Sequence, residues 1–98
     1  MNEDKAERIA VRARIHGRVQ GVWYRGWTEK EAVRLGLHGW VRNRSDGTVE
    51  ALFAGESEAV DTMLGLCLAG PIAAQVIKVE SEAAKGITPR RFEVKPTV

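Results

Sequence analysis

Ninety-eight residues have room for one domain and one core, not two. No apolar run approaches the roughly 18 residues of a membrane span, Met1 to Arg8 lacks the apolar centre of a signal peptide, and the single Cys67 excludes an intrachain disulfide, so a cytoplasmic protein without a membrane partner is expected. Net charge is only +2, but residues 12–44 hold eight Lys/Arg against two acids, a local +6 that draws anions, although a solvated basic surface would read the same.

Residues 1–8 are polar and are expected to form a flexible tail, leaving 9–98 as the domain. From Ile9 to His16 apolar and polar residues alternate, with Ile9, Val11, Ala13 and Ile15 on one side and Ala10, Arg12, Arg14 and His16 on the other. This is a strand with one buried face. From Tyr24 to Leu35 the period changes to that of a helix, with Tyr24, Trp27, Thr28, Ala32 and Leu35 near one face and Gly36 as its stop. Gly26 in the first turn costs roughly 1 kcal/mol relative to Ala. It is either room for a close approach or a tolerated flaw.

Leu37 to Asn43 reads as a second strand, with Leu37, Gly39, Val41 and Asn43 sharing a face. Arg44-Ser45-Asp46-Gly47 reads as a tight turn, and Thr48 to Ala54 as a third strand facing the core with Val49, Ala51 and Phe53. Gly55 is expected to break that strand. A second helix starts at Glu56 or Ser57, buries Val60, Met63, Leu64 and Cys67, and ends at Gly70-Pro71. Gln75 to Glu80 is a fourth strand with Ile77 and Val79 on one face. Lys85 to Thr88 is a loop, and Arg90 to Lys95 is a short last strand with Phe92 and Val94 on one face. The order β-α-β-β-α-β plus a short β predicts an α+β, ferredoxin-like split β-α-β sandwich, with two helices on one face of a mainly antiparallel sheet.

The stretch between the first strand and the first helix carries the chemistry. In Gly17-Arg18-Val19-Gln20-Gly21-Val22-Trp23-Tyr24-Arg25, the two glycines let the backbone turn back and point consecutive N–H groups into one bowl. Such a bowl binds a phosphate or sulfate anion. The following helix adds its unpaired N–H groups and the positive end of its dipole, and Arg25 offers a planar fork of donors. No Gly-Lys-Ser/Thr ending follows, which separates the loop from a nucleotide P-loop. Asn43 ends a strand that can lie beside this loop, and its neutral amide can hold a water without competing for the phosphate.

At these residues the sequence resembles the acylphosphatase family. Ile15 to Arg25 carries one motif. Gly39 to Val49, with Gly55 at the expected distance, carries the other. The Gly70-Pro71 break and the final strand with Phe92 also match, so the resemblance covers about residues 10 to 95. It implies metal-free hydrolysis of the carboxyl-phosphate bond of small acyl phosphates, with no cofactor. It also implies that Arg25 and the loop amides hold the phosphate and that Asn43 positions the attacking water. A carboxylate leaving group is a weak base, so no general acid is required. The family often carries Thr where Arg44 stands and Phe where Tyr24 stands, and Trp23 is bulky for its place. These departures are expected to change rate or substrate fit, not reaction class.

Competing readings are weaker. Arg25 as a plain surface residue and Asn43 as a turn cap are the bland ones. Arg18 and Gln20 are expected to matter for backbone more than side chain. His16 and His38 have no ligand spacing, Trp27 and Trp40 read as packing, and Cys67 reads as a buried inert thiol. An RNA-binding sheet would need exposed aromatics where Glu50 and Leu52 stand, so no nucleic-acid partner is expected. An accessory domain of a larger carbamoyl-transfer maturation enzyme is the remaining rival, and the length of 98 residues speaks against it. A monomer is expected.

Overall fold

The alternation over Ile9–Ile15 becomes an inner strand of a five-stranded sheet, next to its central strand. The structure, a computed structural model, describes residues 7–86 and 88–98. Its elements are β1 (Arg8–Arg18), α1 (Tyr24–Arg34), β2 (His38–Asn43), β3 (Val49–Glu56), α2 (Ser57–Ala69), β4 (Gln75–Ala83) and β5 (Phe92–Val94). The sheet order is β4-β1-β3-β2-β5; only the β2–β5 pair is parallel. This is the ferredoxin-like sandwich, with an added edge strand. Of the expected tail, residues 1–6 lie outside the described residues. Arg8 opens β1 opposite Glu56, one residue earlier than the alternation suggested.

Beneath the helices burial follows the period-two reading, but Glu50 and Leu52 on the opposite face of β3, expected to be open, are buried as well. Ala13, Ile15, Val41, Val49, Ala51 and Phe53 are fully buried beneath the helices, and Tyr24, Thr28 and Ala32 of α1 and Val60, Met63 and Cys67 of α2 close over them. Removing such side chains from water is the main favourable term, about 1.5–3 kcal/mol for each large one. Phe92 stacks on Phe53 with centroids 5.8 Å apart, which anchors the three-residue β5. The buried Tyr24 hydroxyl donates to the Cys67 carbonyl at 2.7 Å and so ties the start of α1 to the end of α2.

Two expectations are corrected. Gly55 does not break β3: it pairs with Ile9 inside the strand, which runs on to Glu56, and the Leu37 side chain fills the space a Cβ would take. Ile77 and Val79 do not share a buried face. The β1–β4 register slips between His16 and Gly17, so that His16 faces Lys78 while Gly17 faces Val76, and Ile77 is skipped. The bulge resets the alternation. Val76 and Val79 pack on the core, while Ile77 is 79% exposed.

Candidate active site

Strand polarity brings the two sequence motifs together. β1 and β2 both run antiparallel to β3, so their C-terminal ends lie at the same edge of the sheet. Val49 faces Ile15 on one side and Asn43 on the other. The ends are therefore two strand spacings apart, roughly 10 Å. The chain leaving β1 crosses this gap before entering α1, and the Asn43 side chain, on the helix-covered face of β2, points toward it.

Gly17 and Arg18 belong to β1, not to the loop. Gly17 is required by the bulge: a Cβ there would stand 2.2 Å from the Gln75 carbonyl oxygen and 2.8 Å from the Ile77 nitrogen. The loop proper is Val19 to Trp23. From Val19 to Tyr24, no backbone N–H donates to an acceptor among the described residues. Six consecutive donors without internal partners, next to a helix start, are what an anion-binding nest requires.

Trp23 is the N-cap of α1 and takes a left-handed conformation, φ 67° and ψ 26°. It is the only non-glycine residue with positive φ among those described, and holding it there costs on the order of 1–2 kcal/mol. Arg25 follows in the first turn, with no ion-pair or hydrogen-bond partner among the described residues. Val19, Gly21, Trp23, Tyr24, Arg25 and Gly26 line one cleft of about 290 Å³ with Asn43 and Val94. The structure thus brings Arg25, Asn43 and the loop into one site.

Asn43 is held from both sides. It pairs with Val49 of β3, and its carbonyl accepts from the Val98 N–H at 3.1 Å. Its side-chain Oδ1 is buried and has no hydrogen-bond partner among the described residues. A turn cap would spend that oxygen on the turn. Here Asp46 serves the turn instead, accepting from the Thr48 N–H at 3.0 Å and the Thr48 hydroxyl at 2.6 Å. Those bonds hold the Asp46 carboxyl below the usual carboxylate range.

Sequence reasoning missed the Gln20 side chain. Its Nε2 donates to the carbonyls of Arg44 and Thr48, at 2.8 and 2.9 Å, and fastens the loop to the β2–β3 turn. Period and composition carry no signal for such a clip, because the carbonyls it reaches lie more than twenty residues away in sequence. Arg44, the departure after Asn43, turns away from the cleft. Its Nη1 donates to Glu50 Oε1 at 2.9 Å on the outer face of the sheet. His16 also lies outside the cleft, 2.6 Å from Glu80. Burial pushes the Cys67 thiol up to about 12, which makes it inert.

Known proteins resemble this chain along nearly its whole length. The family model described as Acylphosphatase matches residues 11–94. A curated acylphosphatase of Rhizorhabdus wittichii is 46% identical over 97% of this chain and 96% of its own. One from Nitrobacter hamburgensis is 56% identical over 86% of this chain and 91% of its own. The solved structure of an acylphosphatase from Coxiella burnetii superposes with a TM-score of 0.87 at 31% identity, covering 97% of this chain and all of that one. The family model, the curated relatives and the superposed structure thus lead to one assignment: this chain belongs to the acylphosphatase family.

Proposed function

We propose that this cleft is where the enzyme hydrolyses acyl phosphates, with its parts divided as follows. The N–H groups of Val19 to Tyr24 and the positive end of α1 receive the phosphate oxygens, and the Arg25 guanidinium closes over them. Each charge-assisted bond contributes about 1.5–3 kcal/mol. Asn43 Oδ1 accepts a hydrogen bond from the attacking water and holds it in line with the phosphorus. The new bond forms from water oxygen to phosphorus while the bond from phosphorus to the carboxylate oxygen breaks. An acyl phosphate dianion and water give a carboxylate and dihydrogen phosphate, so both water protons end on phosphate. The leaving group needs no proton. Positioning and charge stabilisation therefore carry the reaction, and neither a metal nor a cofactor is required.

The observation that carries this division is the buried, unpartnered Asn43 Oδ1 in the cleft that Arg25 and the loop line. An unsatisfied buried acceptor costs about 1–3 kcal/mol, and a positioned water supplies the donor. The cleft volume of about 290 Å³ suits a small acyl phosphate, with inorganic phosphate and sulfate as competing anions. A monomer belongs to the same proposal, and the free, buried Cys67 thiol suits a reducing cytoplasm. Trp40 on the outer sheet face is only 8% exposed, so it offers no open platform for stacking a nucleic-acid base. The test is phosphate release from benzoyl phosphate in EDTA, comparing wild type with Asn43→Ala. Turnover that survives EDTA and falls about a hundredfold or more in the variant supports the division. Loss of wild-type turnover in EDTA, or normal turnover by the variant, refutes the corresponding part.

A further inference from the structure

We infer that Trp23 is the wall against which the acyl group of the substrate lies, so that its ring sets how strongly the enzyme distinguishes a flat aromatic acyl group from an acetyl-sized one. The inference rests on the site assignment above and deepens it by naming a specificity-determining residue.

Four observations converge on Trp23. Its indole is 60% exposed, yet it lines the same cleft as Arg25 and Asn43. Its side chain has a built seat: a Cβ on Gly26 would fall 2.1 Å from the indole Nε1 and 2.7 Å from Cε2, so the helix omits a side chain where the ring lies. Lys30, one turn further along α1, sets its ammonium 5.6 Å from the ring centroid. The backbone of Trp23 is in the left-handed region, which commits the residue to the boundary between the loop and Arg25. A large apolar ring placed this way is a fixed surface, since an indole free in solvent needs neither the glycine beneath it nor the strained backbone.

The chemistry of the substrate supplies the occupant. The nest and Arg25 take the phosphate end, and nothing polar is required of the other end, whose leaving carboxylate carries the acyl group toward the mouth. Trp23 and Val94, which is 41% exposed in the same cleft, are the apolar surfaces there. A flat ring stacks on an indole, and an acetyl methyl covers little of it.

The experiment measures kcat/KM for benzoyl phosphate and for acetyl phosphate, and follows the ratio of the two. Trp23→Gly removes the ring and suits the positive φ. Trp23→Phe keeps an aromatic face. Gly26→Ala keeps the tryptophan but displaces it from its seat. The expected result is a wild-type ratio well above one that falls about tenfold in Trp23→Gly, chiefly through the KM for benzoyl phosphate. Trp23→Phe should keep most of the ratio, and Gly26→Ala should lose much of it. A ratio in Trp23→Gly within twofold of wild type, or an equal loss on both substrates, overturns the inference while leaving the site assignment standing. Wild type that hydrolyses neither substrate overturns the assignment itself. If Trp23→Gly does not fold, the ratio in Gly26→Ala decides.

Discussion

Gln20 and Arg44 are joined across the edge of the site, the Gln20 Nε2 donating to the Arg44 carbonyl at 2.8 Å while also reaching the Thr48 carbonyl at 2.9 Å. One amide group thereby ties the loop of residues 19–23 to the residue that follows Asn43. Gln20→Ala frees the loop from the turn, so the proposed phosphate and water positions lose their common frame. The expected outcome is a fall in kcat of about tenfold with a smaller change in KM, and a stability loss of about 1–2 kcal/mol. Gln20→Glu should be worse, because a carboxylate would face two carbonyls. Steady-state kinetics beside thermal melts check this. A Gln20→Ala variant with a lower Tm but unchanged kcat would reduce the clip to a structural tie.

Arg25 is tested best by a charge-conserving change. Arg25→Ala removes both charge and fork; Arg25→Lys keeps the charge alone. Inhibition by inorganic phosphate should weaken about ten- to a hundredfold in Arg25→Ala, by the loss of a charge-assisted contact of about 1.5–3 kcal/mol. Arg25→Lys should fall in between. Equal inhibition constants in all three proteins would remove Arg25 from the phosphate site.

That Gly21, Arg25 and Asn43 come together in one cleft was legible in the sequence, because turn chemistry and strand ends are local properties, whereas Gly17 belongs to β1 and not to the loop. The alternation in β1 and β3 is equally local, and Ala13, Ile15, Val49, Ala51 and Phe53 are buried as it requires. What stayed hidden depends on partners far along the chain. The bulge opposite Gly17 resets the parity of β4, so Ile77 and Val79 could not be assigned from β4 alone. Gly55 lies inside β3 because Ile9 pairs with it and Leu37 fills its space. Gly26 became interpretable only once Trp23 was seen lying over it.

Glu50 makes stability depend on acid pH. Its side chain is 7% exposed, with Arg42 Nε and Arg44 Nη1 each 2.9 Å from Oε1 and Arg14 Nη2 3.8 Å from Oε2. Burial alone would raise its pKa, but the hydrogen bonds from Arg42 and Arg44 and their charges leave it below its ordinary 4.5. A folded pKa below the unfolded one means the fold favours the carboxylate. That stabilisation is complete above about pH 5 and is lost as pH falls through 4.5 and below. Glu50→Gln should therefore cost about 3 kcal/mol at pH 7, where it leaves the arginines without their carboxylate. The gap to wild type should shrink markedly by pH 3. Urea unfolding at the two pH values checks this, and an unchanged gap would contradict the assignment.

Gly17 and Gly21 separate a packing requirement from a backbone preference. Gly21, at φ 76°, has nothing within 4 Å of where a Cβ would stand, so Gly21→Ala should cost only about 1 kcal/mol through its backbone angle. Gly17, at φ 126°, would drive a Cβ to 2.2 Å from the Gln75 carbonyl oxygen, an overlap with backbone that no side-chain rotation relieves. Gly17→Ala must therefore open the β1–β4 pairing at the bulge or shift the end of β1. The expected loss is about 3 kcal/mol or more. Amide exchange in β4 should accelerate at Gln75 to Ile77 ahead of the β1–β3 ladder. Because β1 ends where the loop begins, inhibition by phosphate should weaken in the same variant, while Gly21→Ala keeps its β4 protection. A Gly17→Ala protein with wild-type stability and β4 exchange would mean that the strand accommodates the extra carbon, and that the bulge does not require glycine.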